Sequence, residues 1–297
     1  MNKILALAGR LYRILPQLLW LVRFDAPRLH DASLVSKYRS TLHTLIGLSF
    51  LGSASVSAVD IADRVVAIKP GVVGVGSFHP TRNPRAQLTG TGFVVGDGSH
   101  VVSCSHVFNR DLDSEKNETW AVLTGRDRQM TVRSATIVAR DKDRDLVLLK
   151  IGGDALPALK LAENDAVREG WQLYFTGYPI GAVLGLNPST HRAGLAAIVP
   201  IYTLVQSTTQ LSPRTVKQAN EQYEVYELDA IAYPGNSGSP VWNPDTGEVL
   251  AVVNSVFVKG AKETALTAPS GITYAIPIKY VRELMRQAGV GQTKARP

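Results

Sequence analysis

Cysteine is nearly absent: Cys104 is the single one in 297 residues. An internal disulfide and a thiolate metal cage are therefore excluded, and a hydrophobic core must hold the fold. Low-complexity tracts, charge blocks and internal repeats are also missing, which sets aside solenoids and disordered arms. Helical periodicity is scarce. The hydrophobic share of 45% is enough for one large domain or two small ones. The formal charge of +7 hints at nucleic acid, but its location argues otherwise. Residues 1–58 hold seven of the 32 basic and two of the 25 acidic residues, a net +5 that leaves only +2 on the rest. No phosphate-binding stripe remains after position 58, so no nucleic-acid partner is expected.

Residues 1–24 place apolar side chains at 4, 7, 11, 14, 18 and 22, with Lys3, Arg10 and Gln17 on another face. This is a basic amphipathic helix interrupted near Pro16, too charged for a simple membrane span. Residues 37–58 run from Lys37 and Arg39 through "TLHTLIGLSFLG" to "SASVSA". Basic flank, short apolar core and small residues are the parts of a secretory signal cut after Ala58. Two alternatives stand: an uncut anchor, giving membrane association through residues 1–58, or an organelle-targeting peptide. Export to a bacterial periplasm or cell envelope is the reading adopted. The expected organisation is a leader over 1–58, one domain over 59–290 and a tail over 291–297.

From position 59 the chain reads as many short strands. A brief helix in "VDIADRVVAI" ends at Pro70-Gly71, and the β run "VVGVGSF" follows. A turn-rich stretch, "HPTRNPRAQLTG", precedes a hairpin in which Gly96-Asp97-Gly98 separates two apolar runs. Further β runs are "WAVLT", "MTVRSATIVAR", "DLVLLKI", "WQLYFTGYP", "LAAIVPIYTLV", "YEVYELDAIA", "EVLAVVNSVFV" and "GITYAIP". Only "IKYVRELMRQAG" has a helical period, with Val281, Leu284 and Met285 on one face. The pattern predicts an all-β barrel or sandwich closed by a C-terminal helix.

Three residues could do chemistry. Ser237 sits in "AYPGNSGSPVWN", a run of glycine, proline and small residues that must turn sharply. It is either a hairpin connection or a nucleophile turn in which Gly235 leaves room for an oxyanion. The G-x-S-x-G elbow fails, because position 239 is serine. His106 ends the apolar strand "HVVSCS", where it can face a cleft from a rigid base. Asp145 precedes "LVLLKI", while Asp141 and Asp143 are expected to face solvent. A carboxylate at the mouth of a buried strand needs a partner, either an imidazole or a nearby cation such as Arg144 or Lys150. Each residue alone favours the structural reading, but the order His, Asp, Ser is a known triad order.

Between about Ile61 and Gly289 the chain resembles the HtrA (Deg) branch of the chymotrypsin-like serine proteases. The likeness is carried by "GTGFVV" with "VVSCSHVF", "DRDLVLLKI", "FTGYPIG", "LDAIAYPGNSGSPVWN", "GEVLAVVNS" and "GITYAIPI". It implies a double six-stranded antiparallel β-barrel with a C-terminal helix, and a catalytic set of His106, Asp145 and Ser237. Ser239 stands where the family has glycine, a small change. HtrA proteins commonly carry one or more PDZ domains after the protease body; none is expected within this sequence, which puts PDZ-gated activation in doubt. The oxyanion hole is expected from Gly235, Asn236 and Ser237, with the N–H groups of Gly235 and Ser237 as donors. The fold implies a substrate pocket built from Ala230, Ile231, Ala232, Val253, Asn254, Ser255, Ile272 and Thr273, with Ile231 shortening it. No acid lies among these residues, so cleavage after Val, Ala or Leu is expected rather than after Lys or Arg. No metal or organic cofactor is required, polypeptides are the expected substrates, and the resemblance implies a trimer. The alternative function is a silent double barrel that binds peptides or unfolded chains. Cys104 is read as a small core residue on the same face as His106 if the strand is regular. Asn117-Glu118-Thr119 is read as a chance match to a glycosylation acceptor.

Overall fold

The computed structural model describes residues 60–125, 130–180, 187–201, 223–254 and 271–291. The chain divides into two units, Met1–Ser57 and Ala58–Pro297. The leader and its helix, signal and anchor expectations lie outside the described residues, as do Ser255 and the tail beyond 291.

Helix α1 (Ile61–Ile68) starts where the Asp60 carboxylate accepts the Ala62 N–H, and a 3₁₀ turn at Lys69–Gly71 ends it as the Pro-Gly signal predicts. Six strands then close the first barrel: β1 (Val72–Phe78), β2 (Ala86–Val95), β3 (His100–Cys104), β4 (Thr119–Thr124), β5 (Thr131–Asp141) and β6 (Leu146–Ile151), in spatial order β1-β2-β3-β6-β5-β4. Six more close the second: β7 (Gln172–Gly177), β8 (Ser189–Pro200), β9 (Glu224–Asp229), β10 (Pro240–Trp242), β11 (Val249–Asn254) and β12 (Ile272–Pro277), in order β10-β11-β12-β9-β8-β7. All paired strands within the two barrels are antiparallel. Helix α2 (Ile278–Gln287) follows directly, burying Val281, Leu284 and Met285 as its periodicity predicts. The chymotrypsin-like double barrel is thus the observed fold.

Successive strand side chains point to opposite faces, and both faces of the central strands are buried. Val147, Leu149 and Ile151 of β6 pack inside the first barrel with Val73, Val94, Val101 and Val122. Leu146 and Leu148 pack outward with Phe93, Val102 and Cys104 into a larger core shared with the second barrel and α2. This is why "LVLLKI" is apolar at nearly every position. Each buried Leu, Val or Phe contributes about 1.5–3 kcal/mol relative to exposure. Trp242, fully buried, donates from Nε1 to Thr176 Oγ1 at 3.1 Å and stacks on Tyr174.

Two strands begin earlier than the local signals predict. β2 starts at Ala86 inside the turn-rich stretch, because Gln87 and Leu88 pair with Ser77 and Gly76 across a bulge. β8 starts at Ser189, where half-exposed polar residues hide the alternation that marks a strand but still pair with β7. Met130 precedes β5, and residues 202–205 and 255–258 of two further expected runs lie outside the described residues.

Candidate active site

The first barrel supplies the acid and base. Strand β3 stops at Cys104, and His106 sits in a 3₁₀ turn, Ser105–Phe108, rather than at the strand end itself. Arg140 fastens this turn, bonding Asn109 Oδ1 at 3.1 Å and the Phe108 carbonyl at 3.3 Å. Asp145 closes the turn between β5 and β6 with φ +58°, a left-handed conformation that aspartate tolerates better than most residues. It is 1% exposed. Its Oδ1 accepts the His106 backbone N–H at 2.8 Å, and Oδ2 faces His106 Nδ1 at 2.5 Å and accepts from Asn254 Nδ2 at 2.8 Å. These bonds compensate the buried charge. Arg144, the cation proposed as an alternative partner, turns instead to Asp141 at 2.9 Å. Asp141 also accepts the Arg144 N–H, so it caps the turn rather than facing solvent. With Nδ1 against a carboxylate, the proton belongs on Nδ1, which leaves Nε2 as the acceptor 3.0 Å from Ser237 Oγ.

The second barrel supplies the nucleophile. Residues 233–236 make one turn, closed by Asn236 N–H to the Tyr233 carbonyl, and residues 236–239 make the next, closed by Ser239 N–H to the Asn236 carbonyl. Gly235 and Gly238 occupy the third positions with φ +99° and +90°, as type II turns demand. A Cβ on Gly238 would lie 2.0 Å from the Thr91 carbonyl oxygen. The Pro234 carbonyl is held by the Ile180 N–H at 2.6 Å and the Gly235 carbonyl by Thr91 Oγ1 at 2.7 Å. In a planar trans peptide the N–H opposes the C=O, so the Gly235 N–H points away from Ile180. Ile180 holds φ +57°, which costs a β-branched residue about 1–3 kcal/mol. Strained residues of this kind collect at functional sites.

The other expected site residues divide. Asn236 leaves the oxyanion donor set, because its N–H is spent on Tyr233. Among the described residues its buried amide atoms, and Ser239 Oγ, find no hydrogen-bond partner. A Cβ on Gly177 would lie 1.9 Å from Ser239 Oγ, so Ser239 requires glycine opposite it. Val253 and Thr273 are buried, and Thr273 Oγ1 donates to the Ala230 carbonyl at 2.7 Å. Ala230 and Ala232 are half-buried. Ile231 does not form a buried floor: it and Ile272 are 37% and 42% exposed, because the chain leaves β9 at Asp229 and kinks where the Ala230 N–H bonds both Leu228 and Gly271. Asn254 spends its side chain on Asp145 rather than lining the pocket.

Cys104, His106 and Asp145 offer ligand atoms within 4.8 Å of one another. Their chemistry fits a hydrogen-bonded triad better than a metal centre. The Cys104 thiol donates to the Val253 carbonyl, and burial, with the Asp145 charge second, pushes its pKa up and disfavours a thiolate. Cys104 is a core residue, and it does not share a strand face with His106 because the strand has already ended. Sequence reasoning missed Thr91, whose N–H also holds the Ser237 carbonyl at 2.9 Å and whose hydroxyl accepts the Tyr178 N–H. Its signal was available: a polar residue set between two glycines in the apolar strand "LTGTGFVV".

Comparisons with known proteins bear on the family and the fold. A family model described as a trypsin-like peptidase domain matches residues 90–252. A "Probable periplasmic serine endoprotease DegP-like" of Hahella chejuensis is 26% identical over 214 residues, covering 71% of this chain and 38% of that protein. "Serine protease HTRA2, mitochondrial" of Drosophila pseudoobscura pseudoobscura is 27% identical over 280 residues, covering 92% of this chain and 57% of that one. The chain thus spans between 38% and 57% of the length of these relatives. Among solved structures, the HtrA-type protease AlgW with tripeptide has TM-score 0.54 and 22% identity over 77% of this chain and 63% of its own. The active form of the Rv3671c protease from M. tuberculosis has TM-score 0.53 and 23% identity over 77% of this chain and 85% of its own. At that identity these two speak for the fold.

Proposed function

Since the chain belongs to the trypsin-like peptidase family, we propose that it is a serine endopeptidase working through Ser237, His106 and Asp145. The observation that carries this is the continuous link Ser237 Oγ to His106 Nε2 at 3.0 Å and His106 Nδ1 to Asp145 at 2.5 Å, part-buried where groups of the two barrels meet.

Ser237 Oγ attacks a peptide carbonyl and passes its proton to His106 Nε2. The imidazolium that forms is stabilised by Asp145, which Asn254 orients through its amide. The carbonyl oxygen becomes an oxyanion, and the N–H groups of Gly235 and Ser237 receive it. A donor of this kind is worth about 2.7–4 kcal/mol of barrier. When the intermediate collapses, the C–N bond breaks and His106 protonates the leaving amine. Water, deprotonated by His106, then hydrolyses the Ser237 acyl-enzyme and restores the serine. No step calls for a cofactor.

The substrates in this reading are unfolded or misfolded polypeptides cut after Val, Ala or Leu. The uncharged set Ala230, Ala232, Val253 and Thr273, rimmed by Ile231 and Ile272, suits such side chains. Residues 59–290 form the protease domain, and residues 1–58 direct it to a bacterial periplasm or cell envelope, the compartment named for the Hahella relative. Trimeric assembly enters the proposal on the strength of the resemblance, and membrane association through residues 1–58 is the alternative if that leader stays uncut. Among the described residues no helix is long and apolar enough to cross a membrane.

The test is casein hydrolysis by purified wild type and Ser237→Ala. The variant should lose on the order of 10⁶-fold in kcat while unfolding at the same temperature, since one oxygen is removed. Equal cleavage by both proteins contradicts the assignment.

A further inference from the structure

The turn that carries Asp145 is fastened from outside the first barrel, and the fastening runs through the residue beside it. We propose that Arg144 is a positioning residue for Asp145, through which helix α2 and Tyr223 keep the His106–Asp145 pair in register. The proposal rests on the peptidase reading above.

Arg144 looks at first like an ordinary surface cation. Its surroundings say otherwise. The guanidinium lies 4.5 Å from the centre of the Tyr280 ring on α2 and 5.9 Å from that of Tyr223. Nη1 pairs with Asp141 at 2.9 Å within the turn and with Glu283 of α2 at 3.8 Å. Only 32% of the side chain is exposed. The two rings meet edge to face at 5.7 Å, so the cation caps an aromatic pair built from two separate segments. The Tyr223 hydroxyl also donates to the Asp143 carbonyl at 3.2 Å. Lys279 shares the Tyr280 ring at 5.1 Å.

The neighbour of this clamp is where conformation matters most. Asp145 holds φ +58° and must present one carboxylate to two His106 donors and Asn254. The Ser105 N–H bonds the Asp145 carbonyl, so a shift of the turn moves both halves of the pair. A left-handed residue persists only where its surroundings over-determine it. Here they do so through the Arg144 N–H bond to Asp141 and the Arg144 guanidinium bound across to α2.

A residue that only stabilises the fold would lower the unfolding temperature and leave each folded molecule fully active. The proposal predicts more. Arg144→Ala, counted per titrated active site, should lose about tenfold in kcat with KM nearly unchanged, since small displacements of catalytic groups are costly. Tyr280→Leu should act in the same direction, and the double variant should lose less than the product of the singles, because both cut one link. Arg144→Lys should recover part of the loss. The downfield proton resonance of His106 Nδ1–H should move or broaden in Arg144→Ala. That signal needs no turnover, so it tests Arg144 even if the peptidase reading fails. If Arg144→Ala does not fold, Arg144→Met and Tyr280→Leu carry the same measurements. Strictly multiplicative losses, or an unmoved His106 proton, would overturn the proposal.

Discussion

The two barrels hold their halves of the site by different means. His106 and Asp145, on the first, are fixed by side-chain bonds: carboxylate to imidazole, guanidinium to turn, and carboxylate to the amide of Asn254 on β11 of the second barrel. Ser237, on the second, is fixed mainly by backbone: two successive turns, glycines at φ +99° and +90°, and carbonyls gripped by the Ile180 N–H and by the hydroxyl and N–H of Thr91 from the first barrel. Their cores differ too. The first barrel keeps a closed interior of its own, whereas the second shares its core with α2 and the outer face of the first. The lesson is that the acid–base half should be sensitive to charge and the nucleophile half to backbone freedom. Both should respond to the packing between barrels.

The largest effect belongs to the charge. Asp145→Asn should keep the fold, since asparagine suits the left-handed position, but present the wrong proton to His106. Steady-state kinetics should show a fall in kcat of about 10⁴-fold. A loss below tenfold would mean that Asp145 does not orient the imidazole.

Backbone freedom comes next. Gly238→Ala drives a Cβ to 2.0 Å from the Thr91 carbonyl at φ +90°. Urea denaturation should show a loss of more than about 3 kcal/mol, with cleavage lost in parallel. An alanine variant as stable as the wild type would refute the backbone account.

Interface and interior separate on neighbouring leucines. Leu148→Ala and Leu149→Ala should each cost about 2–5 kcal/mol. Leu148 packs toward the second barrel and Leu149 inside the first. Only Leu148→Ala should lower kcat per folded molecule, and equal kcat losses would erase the distinction.

The smallest effect is a pH dependence of the first barrel. Glu118 is buried, and Arg110, with the Asp113 N–H and Ser77 hydroxyl, holds its carboxyl well below the usual carboxylate range. A depressed folded pKa stabilises the fold above the ordinary value of 4.5, and that contribution fades as pH falls below it. Glu118→Gln should therefore flatten the acid side of the stability curve, and a variant with the wild-type acid slope would show that another group governs it.

Much of this was legible in the sequence. The order His106, Asp145, Ser237 and the Pro-Gly-rich loop are local patterns, and local patterns specified the triad candidates and the turn. Most strands were legible as short β runs, although the polar start of β8 hid where it begins and the three-residue β10 was not among the runs; the six-plus-six count rested on the family resemblance. Ile180 and Arg144 were not legible, because each acts through a carbonyl, ring or carboxylate brought near only by tertiary folding. Asn254 and Ile231 were assigned to the pocket by position alone. Whether a strand residue points toward a carboxylate or into solvent depends on a kink that spacing does not encode.

The central claim is that groups from two barrels act as one activated nucleophile. A fluorophosphonate probe, followed by peptide mapping, tests it most directly. The account predicts covalent labelling of wild type on Ser237, with labelling reduced by orders of magnitude in His106→Ala, because an unactivated serine hydroxyl is a weak nucleophile. A wild-type protein that takes no label, or a His106→Ala variant labelled as fast as wild type, would contradict it.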